Sequence, residues 1–415
     1  MVDVRRTVEA VWRMESAHLT ATLARLVRDV GLAEQLAQDA VVLALEQWPE
    51  RGVPDNPAAW LMATAQHKGI DLIRRERTLR DRYGLLAAAS GEGTVPPPDV
   101  AAEDVVGDDV LTLVFIACHP VLPRESRVAL TLRLIGGLTT EEIARGFLTR
   151  PATIGQRISR AKRTLAEARV PLEAPDADEL PARVSAVLEV VYLIFTEGHA
   201  ATSGDRWVRR ELAQEAMRLG RVLTGLLPRE PEVHGLVALM ELQASRFPAR
   251  TSAGGEPILL HEQDRSRWGR TLIAHGLAAL DRATSLGRPL GPYTVQAAIA
   301  ACHTRASRFE DTDWEAVVAL YDALGQLSPS PVIAVNRAVA VLHADGPQAA
   351  LDALDAVAGD VRLARYHLLG AVRADALQRL GRSSEAAVAL ERAAGLAPTQ
   401  RERDLLMARA AALTT

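Results

Sequence analysis

Four basic side chains, Arg157, Arg160, Lys162 and Arg163, fall within seven residues of one another, with Ser159 among them and Thr153 and Gln156 just before. Guanidinium forks and a carboxamide offer the paired hydrogen bonds that base edges in a major groove accept, and a lysine ammonium suits phosphate. Such side chains act together only if one helix presents them. Ile154, Ile158, Ala161 and Leu165 recur at the spacing of a buried helical stripe. With that stripe facing inward, Thr153, Gln156, Ser159, Arg160 and Arg163 fall on the opposite face, flanked by Arg157 and Lys162. Upstream, Thr139-Thr-Glu-Glu142 reads as a capping box opening a short helix with apolar Ile143, Ala144, Phe147 and Leu148. Thr149-Arg-Pro151 forms the turn, and Pro151 fits the first turn of the helix that follows. Short helix, tight turn and a second helix with a basic outer face make a helix-turn-helix. A merely structural hairpin would bury the same stripe without needing the four basic residues.

Other candidate chemistry is weaker. Cys118-His119 and Cys302-His303 contain metal-ligand types, but adjacent helical residues diverge and would not chelate one ion, so no metal or other cofactor is expected. Glu197, His199 and Asp205, and the pair Glu262 and Asp264, would do acid–base work only if they converged in a pocket. Their spacing is as well explained by helix caps and ion pairs. There is no phosphate-binding glycine loop and no nucleophile elbow. No catalytic residue is assigned, and an enzyme is not expected.

These elements must be positioned by a chain of 415 residues, too long for one ordinary core. Hydrophobic residues make up 48%, aromatics only 4%, and strictly alternating β-branched runs are scarce, which points to an all-α fold. A helical unit is expected over 8–82: a helix from Val8 to Asp29 broken at Gly31, a second from Ala33 to Trp48, and a loop through 49–57. Asn56-Pro57 then caps a long helix to Arg80. Residues 83–107 read as a flexible acidic linker, 108–170 as the unit holding the helix-turn-helix, and 179–415 as a helical extension. Near its end, Leu380 to Pro398 resembles the second helix of a tetratricopeptide unit, and Gly346-Pro-Gln-Ala-Ala-Leu is a degenerate copy about one period earlier. An α-solenoid is expected there, with a face able to take a partner protein. The net charge of −4 conceals two basic segments, Lys68–Arg82 and Arg145–Arg169, consistent with two polyanion contacts. The N-terminus lacks the apolar core of a signal peptide and no long apolar run occurs, so a cytoplasmic location without membrane contact is expected.

Leu138-Thr-Thr-Glu-Glu-Ile-Ala144 with Ala152-Thr-Ile-Gly-Gln-Arg-Ile-Ser-Arg-Ala-Lys-Arg-Thr-Leu165 resembles region 4 of extracytoplasmic-function sigma factors, the promoter −35 reader. Gly155-Gln156 departs from the basic-polar pair usual in that family. The resemblance extends to the N-terminal unit. Ala33-Glu-Gln-Leu-Ala-Gln-Asp-Ala40 and Leu43–Trp48 resemble the region 2 helix that docks on polymerase, which makes Gln38, Asp39 and Glu46 candidate contacts. Asn56 to Arg75 resembles the −10 recognition helix, with Gln66-His67-Lys68 where the family carries Ala-Arg-Asn. The loop from Arg51 to Asn56 is placed to hold an unstacked −10 base, His67 is a further −10 candidate, and Lys68, Arg74, Arg75 and Arg77 suit backbone phosphates. The partners implied are the β′ and β subunits of core RNA polymerase and promoter DNA.

The extension resembles that of one subgroup of these sigma factors. The segments that carry the likeness are Tyr192–Gly198, Gly235–Ser245, Glu262–Trp268, Gly291-Pro-Tyr, Asp311–Trp314 and Asn336–Ala340. In that subgroup the extension is tetratricopeptide-like and regulatory. Two other readings stay open on residues alone: a conventional helix-turn-helix regulator, and an α-solenoid scaffold or sensor.

Overall fold

The computed structural model describes residues 4–87, 106–147, 149–199, 206–252, 258–398 and 400–414, so most of the 83–107 linker, Leu148 and Asp205 lie outside it. Regular structure among the described residues is helical, in two compact units.

The first unit opens with α1 (Val4–Val27), α2 (Val30–Arg51) and α3 (Pro57–Ala87). Ala33, Ala37, Ala40 and Ala44 are fully buried along α2, where small side chains let α1 approach closely. Between α1 and α2, Arg28 takes a left-handed φ of 55° and Asp29 caps α2 by accepting from Leu32 N at 2.7 Å. α2 does not stop before Pro49 as its sequence suggests. A proline removes only its own N–H, and Gly52 N closes the last turn onto Trp48 O at 3.0 Å, its φ of +82° ending the helix. Asn56 Oδ1 accepts from Ala59 N at 3.0 Å and Pro57 takes the first position of α3, as the sequence predicts.

Next come α4 (Val106–Ala117), α5 (Arg124–Leu134), α6 (Thr140–Gly146) and α7 (Pro151–Glu167). The first unit then continues to Leu226 with α8 (Leu180–His199) and α9 (Arg206–Leu226). By sequence α8 and α9 belong to the 179–415 extension, yet they pack with the first unit. The reason lies in the apolar face of α8, where Val187, Leu188, Val191, Ile194 and Phe195 are buried as α8 packs on α4 and α5. Arg183 Nη2 also donates to Phe115 O at 2.8 Å.

The second unit holds α10 (Pro231–Ala244), α11 (Arg270–Ser285), α12 (Pro292–Arg305), α13 (Trp314–Leu327), α14 (Pro331–Ala344), α15 (Pro347–Asp355), α16 (His367–Arg379), α17 (Ser383–Leu396) and α18 (Gln400–Thr414). From α12 onward each helix packs on its neighbour in sequence, the arrangement of a solenoid. The segment resembling a repeat is α17, packed between α16 and α18 with Ala386, Ala389, Leu390, Ala393 and Ala394 buried. Its degenerate copy is α15.

Packing accounts for several segments singled out in the extension. A Cβ at Gly235 would overlap Thr294, so only glycine admits this approach of α10 and α12. Glu232 caps α12, accepting from Gly291 N at 3.1 Å, Tyr293 N at 2.8 Å, Thr294 N at 2.9 Å and Thr294 Oγ1 at 2.6 Å. Ala338 and Ala340 sit in the core of α14.

Candidate nucleic-acid interface

Thr139 Oγ1 accepts from Glu142 N at 3.1 Å and Glu142 Oε2 accepts from Thr139 N at 2.8 Å, so the predicted capping box opens α6. α7 buries Ile154, Ile158, Ala161 and Leu165 and no other residue of its length. The opposite face leaves Gln156, Ser159, Arg160 and Arg163 exposed, with Thr153 and Arg157 half-buried at the margin. Arg163 is tethered only by an exposed pair with Glu167 at 3.7 Å, worth little in water.

Lys162 differs from its neighbours. Its ammonium is paired with Glu34 of α2, whose carboxylate also accepts from Arg133 Nε of α5 at 2.6 Å and from Gln38 Nε2 at 2.5 Å. The Glu34 side chain is only 5% exposed. Burial would raise its pKa, but the charges and hydrogen bonds of Lys162 and Arg133 outweigh that and hold it below the ordinary 4.5. Around this knot, Trp12 Nε1 donates to Gly137 O at 3.2 Å, Arg13 pairs with Glu142 at 3.1 Å and Arg25 with Asp109 at 3.4 Å. One DNA-facing candidate is thus engaged by the N-terminal helices, through residues the sequence reading passed over. The signal for Glu34 is its place beside Ala33 in a helix whose alanines are buried. Its partners are set only by tertiary structure.

On α3, His67, Arg74, Arg75 and Arg77 are exposed along the helix. Arg51 and Asn56 stand exposed at the two ends of the intervening loop, though the Asn56 carbonyl is used by the α3 cap. Lys68 lies 3.5 Å from Asp39, which brings a phosphate candidate and a polymerase candidate into one pair. Gln38 is half-buried, while Glu46 is exposed beside the apolar Val42 (52%) and Leu45 (40%). Exposed Val and Leu on one helix face suit a protein surface better than water, so these two extend the candidate polymerase contact. Trp60 packs edge-on against buried Trp48 at 5.4 Å.

Several of the remaining chemistry-bearing residues do structural work, while Glu197 is exposed. Cys118 Sγ lies buried 3.3 Å from Thr131 Oγ1, with burial pushing its thiol up to about 11. His119 Nδ1 accepts from Val121 N at 3.2 Å. Asp264 caps Ser266 N at 2.9 Å, and Glu262 Oε2 accepts from Leu259 N at 3.4 Å. The His199 side chain lies outside the described residues. Among the described residues, no group of three or more His, Cys, Asp or Glu is placed to hold a metal ion, and no helix is long and apolar enough to cross a membrane.

Family comparisons coincide with these elements. The model of Sigma-70 region 2 matches residues 12–78 and that of Sigma-70, region 4 matches residues 113–165. A family of unknown function (DUF6596) matches residues 183–284. The chain is 42% identical to an uncharacterized protein of Rhizobium meliloti (strain 1021), over 92% of this chain and 89% of that one. It is 30% identical to the probable ECF RNA polymerase sigma factor SigI of Mycobacterium tuberculosis, over 39% of this chain and 56% of SigI. Among solved structures, yeast Tom70 aligns with 99% of this chain and 85% of its own at 11% identity, with a TM-score of 0.36, too low to argue a shared fold. The chain belongs to the extracytoplasmic-function sigma factors, in a form that carries a long C-terminal helical extension.

Proposed function

We propose that this sigma factor binds core RNA polymerase through its β′ and β subunits, reads the −10 and −35 elements of promoter DNA, and has its activity controlled by its own extension. In this reading it works in the cytoplasm and makes no covalent chemistry of its own. The observation that carries it is the division of α7: Ile154, Ile158, Ala161 and Leu165 inward, Gln156, Ser159, Arg160 and Arg163 outward. A helix so divided presents hydrogen-bonding forks to base edges while its core face stays anchored. Gln38, Asp39 and Glu46, with Val42 and Leu45 beside them, serve the polymerase. Arg51, Asn56, His67, Lys68, Arg74, Arg75 and Arg77 serve the −10 strand.

Control by the extension is supported by where its first two helices pack. Glu189 of α8 faces Arg124 and Arg127 of α5 at 3.5 and 3.8 Å, and Arg218 of α9 donates to Ile135 O at 3.1 Å. A Cβ at Gly146 would press on Leu212 at 2.9 Å, so α6 and α9 meet closely. Region 4 is therefore held by α8 and α9 on one side and by Glu34 on another, and full contact with DNA requires Lys162 to leave its carboxylate. Promoter DNA binding by the Arg160→Ala/Arg163→Ala double variant tests the reading. Loss of specific binding with an unchanged melting temperature is expected, and unimpaired binding overturns the assignment of α7.

A further inference from the structure

Two arginines of the second unit share one tryptophan; Glu310 and Asp311 act on Arg265 as counter-charges, whereas the charges that act on Arg246 are those of Arg250 and Arg265. The guanidinium carbon of Arg246 stands 5.5 Å from the Trp268 ring centre, and that of Arg265 stands 4.9 Å from it. Trp268 is buried. Arg265 Nη1 donates to the main-chain oxygens of His303 at 2.5 Å and Ala306 at 2.7 Å, which ties the segment 262–268 to the end of α12. Arg246 is positioned by Nε, which donates to Gln263 Oε1 at 3.4 Å. Among the described residues neither guanidinium forms an ion pair, and no hydrogen bond uses the terminal nitrogens of Arg246.

Aromatic and imidazole rings continue from these arginines. His303 packs on Trp314 at 5.3 Å, Trp314 stacks on His343 at 4.3 Å, and Phe309 meets Trp314 at 5.1 Å and His343 at 5.0 Å. Arg379 Nη2 lies 3.3 Å from the His343 ring nitrogens. Arg265 Nη2, Trp268 Nε1, His303 Nδ1 and Thr312 Oγ1, all in this neighbourhood, are buried without a hydrogen-bond partner. Burial, with Arg246 and Arg265 next in weight, pushes His303 down to about 4. The positive charge therefore stays on the arginines.

Folded proteins pair the charges they bury, because an unpaired one carries its desolvation cost alone. Arg246, set among like charges with no carboxylate acting on it and beside four unpartnered polar atoms, carries a cost that a ligand relieves. Guanidinium forks match the oxygens of carboxylates and phosphates, and ring faces favour a planar or apolar body. The segments Glu262–Trp268 and Asp311–Trp314 meet here, with Asp311 acting on Arg265. We propose that Arg246 and Arg265, fixed against Trp268, form the binding site of a small organic oxyanion, a carboxylate or phosphate carried on a planar or apolar body.

The test is titration of the full chain with benzoate and, separately, with phenyl phosphate, ionic strength being held constant with sodium chloride. Thermal unfolding and tryptophan fluorescence report binding. A saturable rise in melting temperature with at least one probe is expected, and the probe that acts distinguishes carboxylate from phosphate. Arg246→Gln, which removes no hydrogen bond to the main chain, is expected to weaken that binding by about tenfold or more. Arg282→Gln, an equal charge change on the exposed side of α11, should leave it unaltered. Should Arg246→Gln fail to fold, Arg246→Lys keeps the charge but loses the fork, and the same weakening is expected. Absence of a saturable effect with both probes overturns the proposal, as does equal binding by wild type and the Arg246 variant.

Discussion

Glu34 carries the largest consequence of any one side chain in the first unit. It is a buried carboxylate answering two cations from α5 and α7. Removing one member of such a set strands the others, at a cost of about 3–5 kcal/mol. Glu34→Gln is therefore expected to lower stability by about that amount near neutral pH, measured by denaturant unfolding. The pH dependence has a definite sign. A carboxylate held below its ordinary value contributes stability above that value and loses the contribution as pH falls through its folded-state value. The gap between wild type and Glu34→Gln should thus be full above 4.5 and close as the solution is acidified further. A gap that stays constant into acid would contradict the assigned charge state. The same substitution frees Lys162, so tighter binding of the folded variant to promoter DNA is expected in a mobility-shift titration.

At the scale of the element, α7 separates stability from recognition. Ile158→Ala removes buried methyl groups from its inner face and should cost about 2–5 kcal/mol in denaturant unfolding. Arg160→Ala lies on the outer face and should move stability by no more than about 0.5 kcal/mol while weakening promoter binding. Equal destabilisation by the two would mean the helix is oriented otherwise. This division was legible in the sequence because it depends on local rules: the Ile154–Leu165 stripe, the Thr139 box, and Asn56 before Pro57. The Glu34 knot was not legible. Arg133 is 99 residues from Glu34, and nothing in either local pattern names the other as partner. Pro49 misled for the converse reason, since a proline near a helix end removes one bond without preventing the next turn from closing.

For the whole molecule, the sequence divides the chain between 170 and 179, and the compact unit that holds the sigma regions also takes in α8 and α9, the first two helices of the extension, ending at Leu226. Complementarity between the apolar face of α8 and that of α4 and α5 decides this, and periodicity reveals that a face exists without revealing what covers it. A chain ending at Leu226 is expected to melt cooperatively. One ending at Pro175 uncovers the surface on which Val187, Leu188, Val191, Ile194 and Phe195 pack, so it should bind a hydrophobic dye and melt at a lower temperature. Equal melting of the two would show that α8 and α9 add nothing to the sigma regions.

In vitro transcription with core RNA polymerase on the gene's own upstream region, comparing the full chain with the chain ending at Leu226, tests the central claim most directly. Promoter-specific transcripts from at least one chain are predicted, with a difference in yield that reports the effect of the solenoid. If neither chain yields transcripts or co-purifies with core polymerase, the proposed promoter function is contradicted.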